Sequence, residues 1–252
     1  MRVVYVNANE VVGELRAFCF LVFLGFCSVS VAQTDGPPVR TPSYQRGVQG
    51  GVPQYPWHLR TTATIFWIGE KPTQGNPTPN NMSSWDTKWQ QNYGGFDNPN
   101  ARNGYLPKGF VPKLNPFYVA LPYNDVQKGS KHKPEAARVI PWFKRYNPRP
   151  GQTVCRGRWV EIVRNDKTCF AQWEDCGPFQ TDDWEFVFKN KAPQNRKNRG
   201  AGIDLSPAVR DFLGIKSGQK VHWRFVEFAN VKRGPWALHG TNNPFVNPKA
   251  RR

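Results

Sequence analysis

Two carboxylates stand where chemistry is possible. Asp175 closes the apolar run Cys169-Phe170-Ala171-Gln172-Trp173 and precedes the turn signal Gly177-Pro178. Asp204 sits in Gly202-Ile203-Asp204-Leu205, just before Ser206-Pro207, a helix N-cap with proline at the first helical position. A carboxylate at a strand end, immediately before a turn, lies at the rim of a sheet or barrel, where a ligand can reach it. Two such groups in one small domain suit acid/base work on a polymer. The plain alternative for each is bracing its own turn by accepting backbone N–H bonds. Glu174 alternates onto the opposite strand face, and Asp182 and Asp183 are expected in a solvated loop.

The elements that must hold these groups are mostly short strands. Thr61-Thr62-Ala63-Thr64-Ile65-Phe66-Trp67 is dense in β-branched and aromatic residues and stops at Gly69; Phe117–Leu121 stops at Pro122. Arg158–Val163 alternates as a half-buried strand and turns at Asn165-Asp166-Lys167 into the Cys169 strand. Trp184–Phe188 reads as a further short strand, and Val221–Phe228 as the last. One helix of two turns is expected from Pro207 to Leu213, capped by Ser206 and stopped by Gly214. Strands of this number, with one small helix and long loops, make a β-barrel. Two insertions interrupt it, 71–115 and 126–150; the first carries Trp85, Trp89, Tyr93 and Phe96, enough for a packing cluster of its own.

Charge and compartment narrow the partner. The first 32 residues read as an export signal: Arg2 and Arg16 precede the apolar run Phe18–Phe26, and Ser30-Val31-Ala32 is a small-x-small cleavage site. The run is too short to span a membrane, so cleavage after about Ala32 and a periplasmic or secreted product are expected. Cys27 raises a lipid anchor, although Phe26 fits such a cleavage site badly. Residues 33–59 read as a flexible arm, 60–230 as the barrel domain and 231–252 as a surface tail. The net charge of +17 favours an anionic partner, and export argues against nucleic acid. The densest basic cluster, Lys189 through Arg199, is either a solvated loop or a basic rim beside a cleft. Cys155, Cys169 and Cys176 allow one disulfide, Cys155–Cys169 or Cys169–Cys176, with an odd thiol left. The four histidines are scattered, so no metal and no cofactor are expected.

The segments Thr64–Glu70, Ala120-Leu121-Pro122, Asp175-Cys176-Gly177-Pro178-Phe179 and Ile203-Asp204-Leu205-Ser206, in that order, resemble the six-stranded double-psi β-barrel superfamily. Within it the similarity is to lytic transglycosylases of the rare lipoprotein A type, with expansins and family 45 endoglucanases as relatives. It covers roughly residues 60–228 and implies an all-β, six-stranded double-psi barrel with one short helix and long loop insertions. It also implies an exported monomer acting on cell-wall polysaccharide, either peptidoglycan or β-glucan, with no stable membrane insertion. By position, Asp175 matches the aspartate that rare lipoprotein A transglycosylases need, and Asp204 matches the general acid of family 45 enzymes.

Two departures matter. The family 45 base follows the first-strand tryptophan, and here that position is Ile68; the rare lipoprotein A histidine before Leu-Pro is also missing. Asp125 or Glu70 could replace the base only if the fold carries one across the cleft. Inverting hydrolysis needs acid and base roughly 6.5–9.5 Å apart. Lytic transglycosylation needs only an acid with a raised pKa, because the substrate's own hydroxyl attacks. The expected catalytic set is therefore Asp175, Asp204 and Asp125, with Trp67, Tyr123, Trp173 and Trp184 as sugar-stacking platforms. A non-catalytic, expansin-like wall-loosening protein is the rival reading.

Overall fold

A computed structural model describes residues 48–49, 52–74 and 76–250. The segment expected to be an export signal, its expected cleavage site, Cys27 and most of the expected 33–59 arm lie outside the described residues.

Six strands close a barrel: β1 (His58–Ile65), β2 (Tyr118–Leu121), β3 (Arg158–Arg164), β4 (Lys167–Cys176), β5 (Ile203–Leu205) and β6 (Lys220–Val226). Their order around the barrel is β4-β2-β5-β1-β6-β3, and β3 pairs with β4 to close it. The β4–β2 and β5–β1 pairs are parallel and the other four antiparallel. This closed, mixed arrangement is compatible with the double-psi barrel that the sequence resemblance implies. Closure leaves none of the six with an unpaired edge.

Among the described residues five short α-helices, rather than one, decorate the barrel: α1 (Trp89–Tyr93), α2 (Ala136–Val139), α3 (Phe143–Tyr146), α4 (Trp184–Lys189) and α5 (Pro207–Leu213). α5 forms as the caps require: Ser206 Oγ accepts from Val209 N–H, and Gly214 takes the left-handed conformation at φ 61°. α4 corrects the expected strand at 184–188. Phe186, Val187 and Phe188 are buried consecutively, which a half-exposed strand cannot do. Asp183 caps the helix by accepting from Phe186 N–H, and Asn190 ends it at φ 57°. Asp183 also accepts from Gln194 N–H and is fully buried, so it is not the solvated loop residue expected.

Alternation along β2 divides the core. Val119 and Leu121 enter the main cluster with Trp173, Trp223 and Phe225. Tyr118 and Ala120 face a second cluster with Phe66 and Ile68, closed by Trp89, Tyr93 and Leu114 of the 71–115 insertion. That insertion is thus a packed wall on the barrel. Packing also begins ahead of residue 60, since Tyr55 and Trp57 are buried. The tail is not simply on the surface: Trp236 is buried in the main cluster, and its ring packs edge-on against Phe117 at 5.8 Å.

Candidate active site

The register of three strands assembles the site. Ala120 of β2 pairs with Asp175 on β4 at one side and with Asp204 on β5 at the other; Asp204 in turn pairs with Thr64 on β1. Paired residues on neighbouring strands share a face, so Asp175, Ala120, Asp204 and Thr64 form one row. Two strand spacings put the aspartate Cα atoms roughly 9–10 Å apart. The methyl of Ala120 leaves the space between the carboxylates open. A bulge in β4 makes this possible: Trp173 pairs with Val119, yet the next pair is Asp175 with Ala120. Glu174 is the extra residue, and its carboxylate turns away to Arg156 and Asn242. Without the bulge, Glu174 would stand opposite Ala120.

The row opens into a groove of about 600 Å³. One wall is the insertion, from Asn76 to Ser84; the other is the turn Gly177–Thr181 after β4. The insertion is locked in place. Ser84 N–H donates to Asp175 Oδ1 at 2.8 Å, and Arg156 bridges Asp86 and Glu174 at 2.9 and 3.0 Å. Gly177 is needed for close approach, because a Cβ there would lie 3.1 Å from Asp204 Oδ2.

The two aspartates differ in their surroundings. Asp175 is 8 % exposed, and its Oδ1 accepts from Ser84 N–H and Cys176 N–H. Burial raises its pKa to about 6, against the pull of those backbone donors. Asp204 is partly exposed to the groove and accepts from the Thr64 hydroxyl. Burial first, then the charges of Asp175 and Glu70, raise it to about 7, with Thr64 opposing. No Lys or Arg among the described residues forms an ion pair with either aspartate. Of the two, Asp204 is held further toward its protonated form, so a proton at this site favours Asp204 and leaves Asp175 the more readily ionised.

Glu70 lines the same groove, held by Asn80 Nδ2 at 2.8 Å, and burial raises its pKa. The fold thus brings this carboxylate, rather than Asp125, to the aspartates. Asp125 is a correction to the expected set. It is fully buried and accepts from the Thr153 hydroxyl at 2.6 Å and Val154 N–H at 2.8 Å, bracing a loop away from the groove lining. The expected platforms do not line the groove either. Trp173 and Tyr123 are wholly buried; Trp67 and Trp184 are partly buried elsewhere. The aromatic groups present are Phe66 and Phe179. Phe179, inside the Asp-x-Gly-Pro-Phe segment, could have been found from its turn position. Cys155, Cys169 and Cys176, the cysteines among the described residues, are free, so neither Cys155–Cys169 nor Cys169–Cys176 is bonded. No cluster of metal-ligating side chains occurs among the described residues. Nor is any helix among them long and apolar enough to cross a membrane.

No family model matches this sequence, and no curated protein matches it. Among solved structures the chain is similar to a Streptomyces papain inhibitor. The identity is 15 %, over 70 % of this chain and 97 % of that one, with a TM-score of 0.28.

Proposed function

We propose that this chain is an exported protein that cleaves cell-wall glycan, peptidoglycan above all, by a lytic transglycosylase-like mechanism centred on one acid. The observation that carries this reading is the row Asp175–Ala120–Asp204: two carboxylates of raised pKa, unpaired with any cation among the described residues, on one face of one groove. Asp204 is the acid. It protonates the glycosidic oxygen as the bond to the anomeric carbon breaks, and the bonding pair leaves with that oxygen. Ionised Asp175 stabilises the positive charge that develops on the ring. The sugar's own 6-hydroxyl then adds to the anomeric carbon and returns its proton to Asp204, so no water is consumed.

Resemblance of the sequence gives Asp175 the catalytic weight, whereas the local environment favours Asp204 as proton holder. Glu70 supports a second reading. As a third carboxylate in the groove it could activate water and convert the reaction to hydrolysis. Mass spectrometry of purified peptidoglycan after incubation with the protein separates the two. Anhydro ends are expected; reducing ends that disappear in Glu70→Gln would establish hydrolysis. Absence of any product with wall binding intact would overturn both and leave the expansin-like role.

A further inference from the structure

Phe179 is held in a costly conformation. Gln180 N–H donates to Pro178 C=O at 2.7 Å, which closes a three-residue γ-turn with Phe179 at its centre, at φ 59°. This hand of the turn is rare and strained, and a bulky side chain at positive φ adds to the cost. The residue is not sunk in the core in return: it stays 37 % exposed and lines the groove four residues after Asp175. Strain kept in a side chain that remains at the groove surface points to a role for the ring itself.

A cation stands over that ring. Lys197 Nζ lies 5.1 Å from the Phe179 centroid, and among the described residues Lys197 has no carboxylate within ion-pair distance. Its neighbour Asn198 lines the groove, at φ 47°. Arg196 and Arg199 flank them, both exposed. The basic cluster is therefore a rim of the carboxylate groove as well as a solvated loop.

We propose that Phe179 and Lys197 form a subsite for a sugar ring bearing a carboxylate, which sets a preference for acidic over neutral glycan. This rests on the glycan-cleaving reading above. The apolar C–H face of the ring stacks on Phe179, and the substituent's carboxylate meets the Lys197 ammonium. Ionised Asp175 would repel a second acidic group, so the charged substituent is confined to the Lys197 end.

Binding of two probes tests this: peptide-free chains of alternating N-acetylglucosamine and N-acetylmuramic acid, and the same chains with their carboxyls amidated. Wild type and Asp204→Asn, which leaves the chains intact, are both measured by titration calorimetry. The charged chains should bind about threefold to fivefold tighter, the size of one exposed ion pair, and the margin should shrink with salt. Lys197→Gln should erase the margin and leave amidated-chain binding unchanged. Lys128→Gln, an equal charge change in the exposed 126–132 hairpin, should keep it. Phe179→Gly should weaken both probes roughly fivefold to tenfold, the size of one aromatic contact, while Tm holds or rises as strain is released. Binding without a charge preference, or equal losses in Lys197→Gln and Lys128→Gln, overturns the subsite alone. No binding of either probe by either protein overturns the glycan reading beneath it.

Discussion

Two buried acidic sites in this molecule are built on opposite principles. At one end of the barrel, Glu227 accepts from Arg158 at 3.0 Å, from Arg145 at 2.8 Å and from the Tyr55 hydroxyl at 2.5 Å. Its pKa falls to about 2: burial pushes up, but Arg158 and the hydrogen bonds outweigh it. In the groove, Asp175 and Asp204 are also shielded from water, yet they receive only hydroxyl and backbone donors, and their pKa values rise. The chain has 35 Lys and Arg against 18 Asp and Glu, so cations are not scarce. The contrast teaches that leaving these two aspartates uncompensated is a local arrangement, and such arrangements cluster at working sites.

The largest effect should be on turnover. Asp204→Asn is expected to lower the rate of anhydro-product formation by about a hundredfold to ten-thousandfold, the range of a general acid. Asp175→Asn should cost less, because it removes charge stabilisation and leaves the proton donor. Wild-type rate should fall below about pH 6 as Asp175 protonates and above about pH 7 as Asp204 ionises. A rate that rises steadily to pH 9 would contradict the assignment of Asp204.

Next in size is the paired site. Arg158→Ala leaves Glu227 without its main buried partner and should destabilise the fold by about 3 kcal/mol in urea titration, without moving either limb of the pH–rate profile. The two regions should also oppose each other in stability against pH. Glu227, depressed from 4.5, contributes about 3 kcal/mol that is present above pH 4.5 and lost as pH falls through about 2. Asp204, raised from 3.8, contributes stability that is complete below pH 3.8 and lost as pH rises through about 7. Asp204→Asn should therefore raise Tm over wild type at pH 8 and give no gain at pH 3.5. Equal shifts at both values would break the comparison. The smallest effect on the rate profile is expected from Gly177→Ala. Its methyl would crowd Asp204 Oδ2 and move the basic limb by a fraction of a pH unit, and because φ 156° strains any side chain there, Tm should fall as well.

Much of the architecture is readable from the chain. β-Branched density at Thr61–Ile65, the Ser206/Gly214 caps of α5 and the Asn165 turn are local signals, and each forms as its residues dictate. α4 misleads because Trp184–Phe188 is dense in aromatic and β-branched residues while its caps, Asp183 and Asn190, speak for a helix. Site residues that end strands were legible for the same reason: Asp175 and Asp204 each precede a break that chemistry of the turn makes visible. Asp125 is misplaced from sequence because the N–H its carboxylate accepts from, that of Val154, lies 29 residues away. The aromatic platforms failed similarly. Trp173 and Tyr123 are as suited by type to stacking as to packing, and only the closed barrel assigns them to the interior.

By itself, then, the sequence determined the segments that form the barrel strands, where the two aspartates end them, and that the chain is strongly basic. These follow from propensity, turn chemistry and composition, which act over a few residues. The tertiary structure alone decided that Asp175, rather than Glu174, stands opposite Ala120, because a bulge is a mismatch between two strands and belongs to neither. It also decided that Glu70 and Phe179 share the groove, that Lys197 stands over its rim, and that no cation among the described residues pairs with the two aspartates. Burial and hydrogen bonding set those pKa values, and both depend on residues brought together across 91 positions of chain for Asp175 and Ser84 and 140 for Asp204 and Thr64.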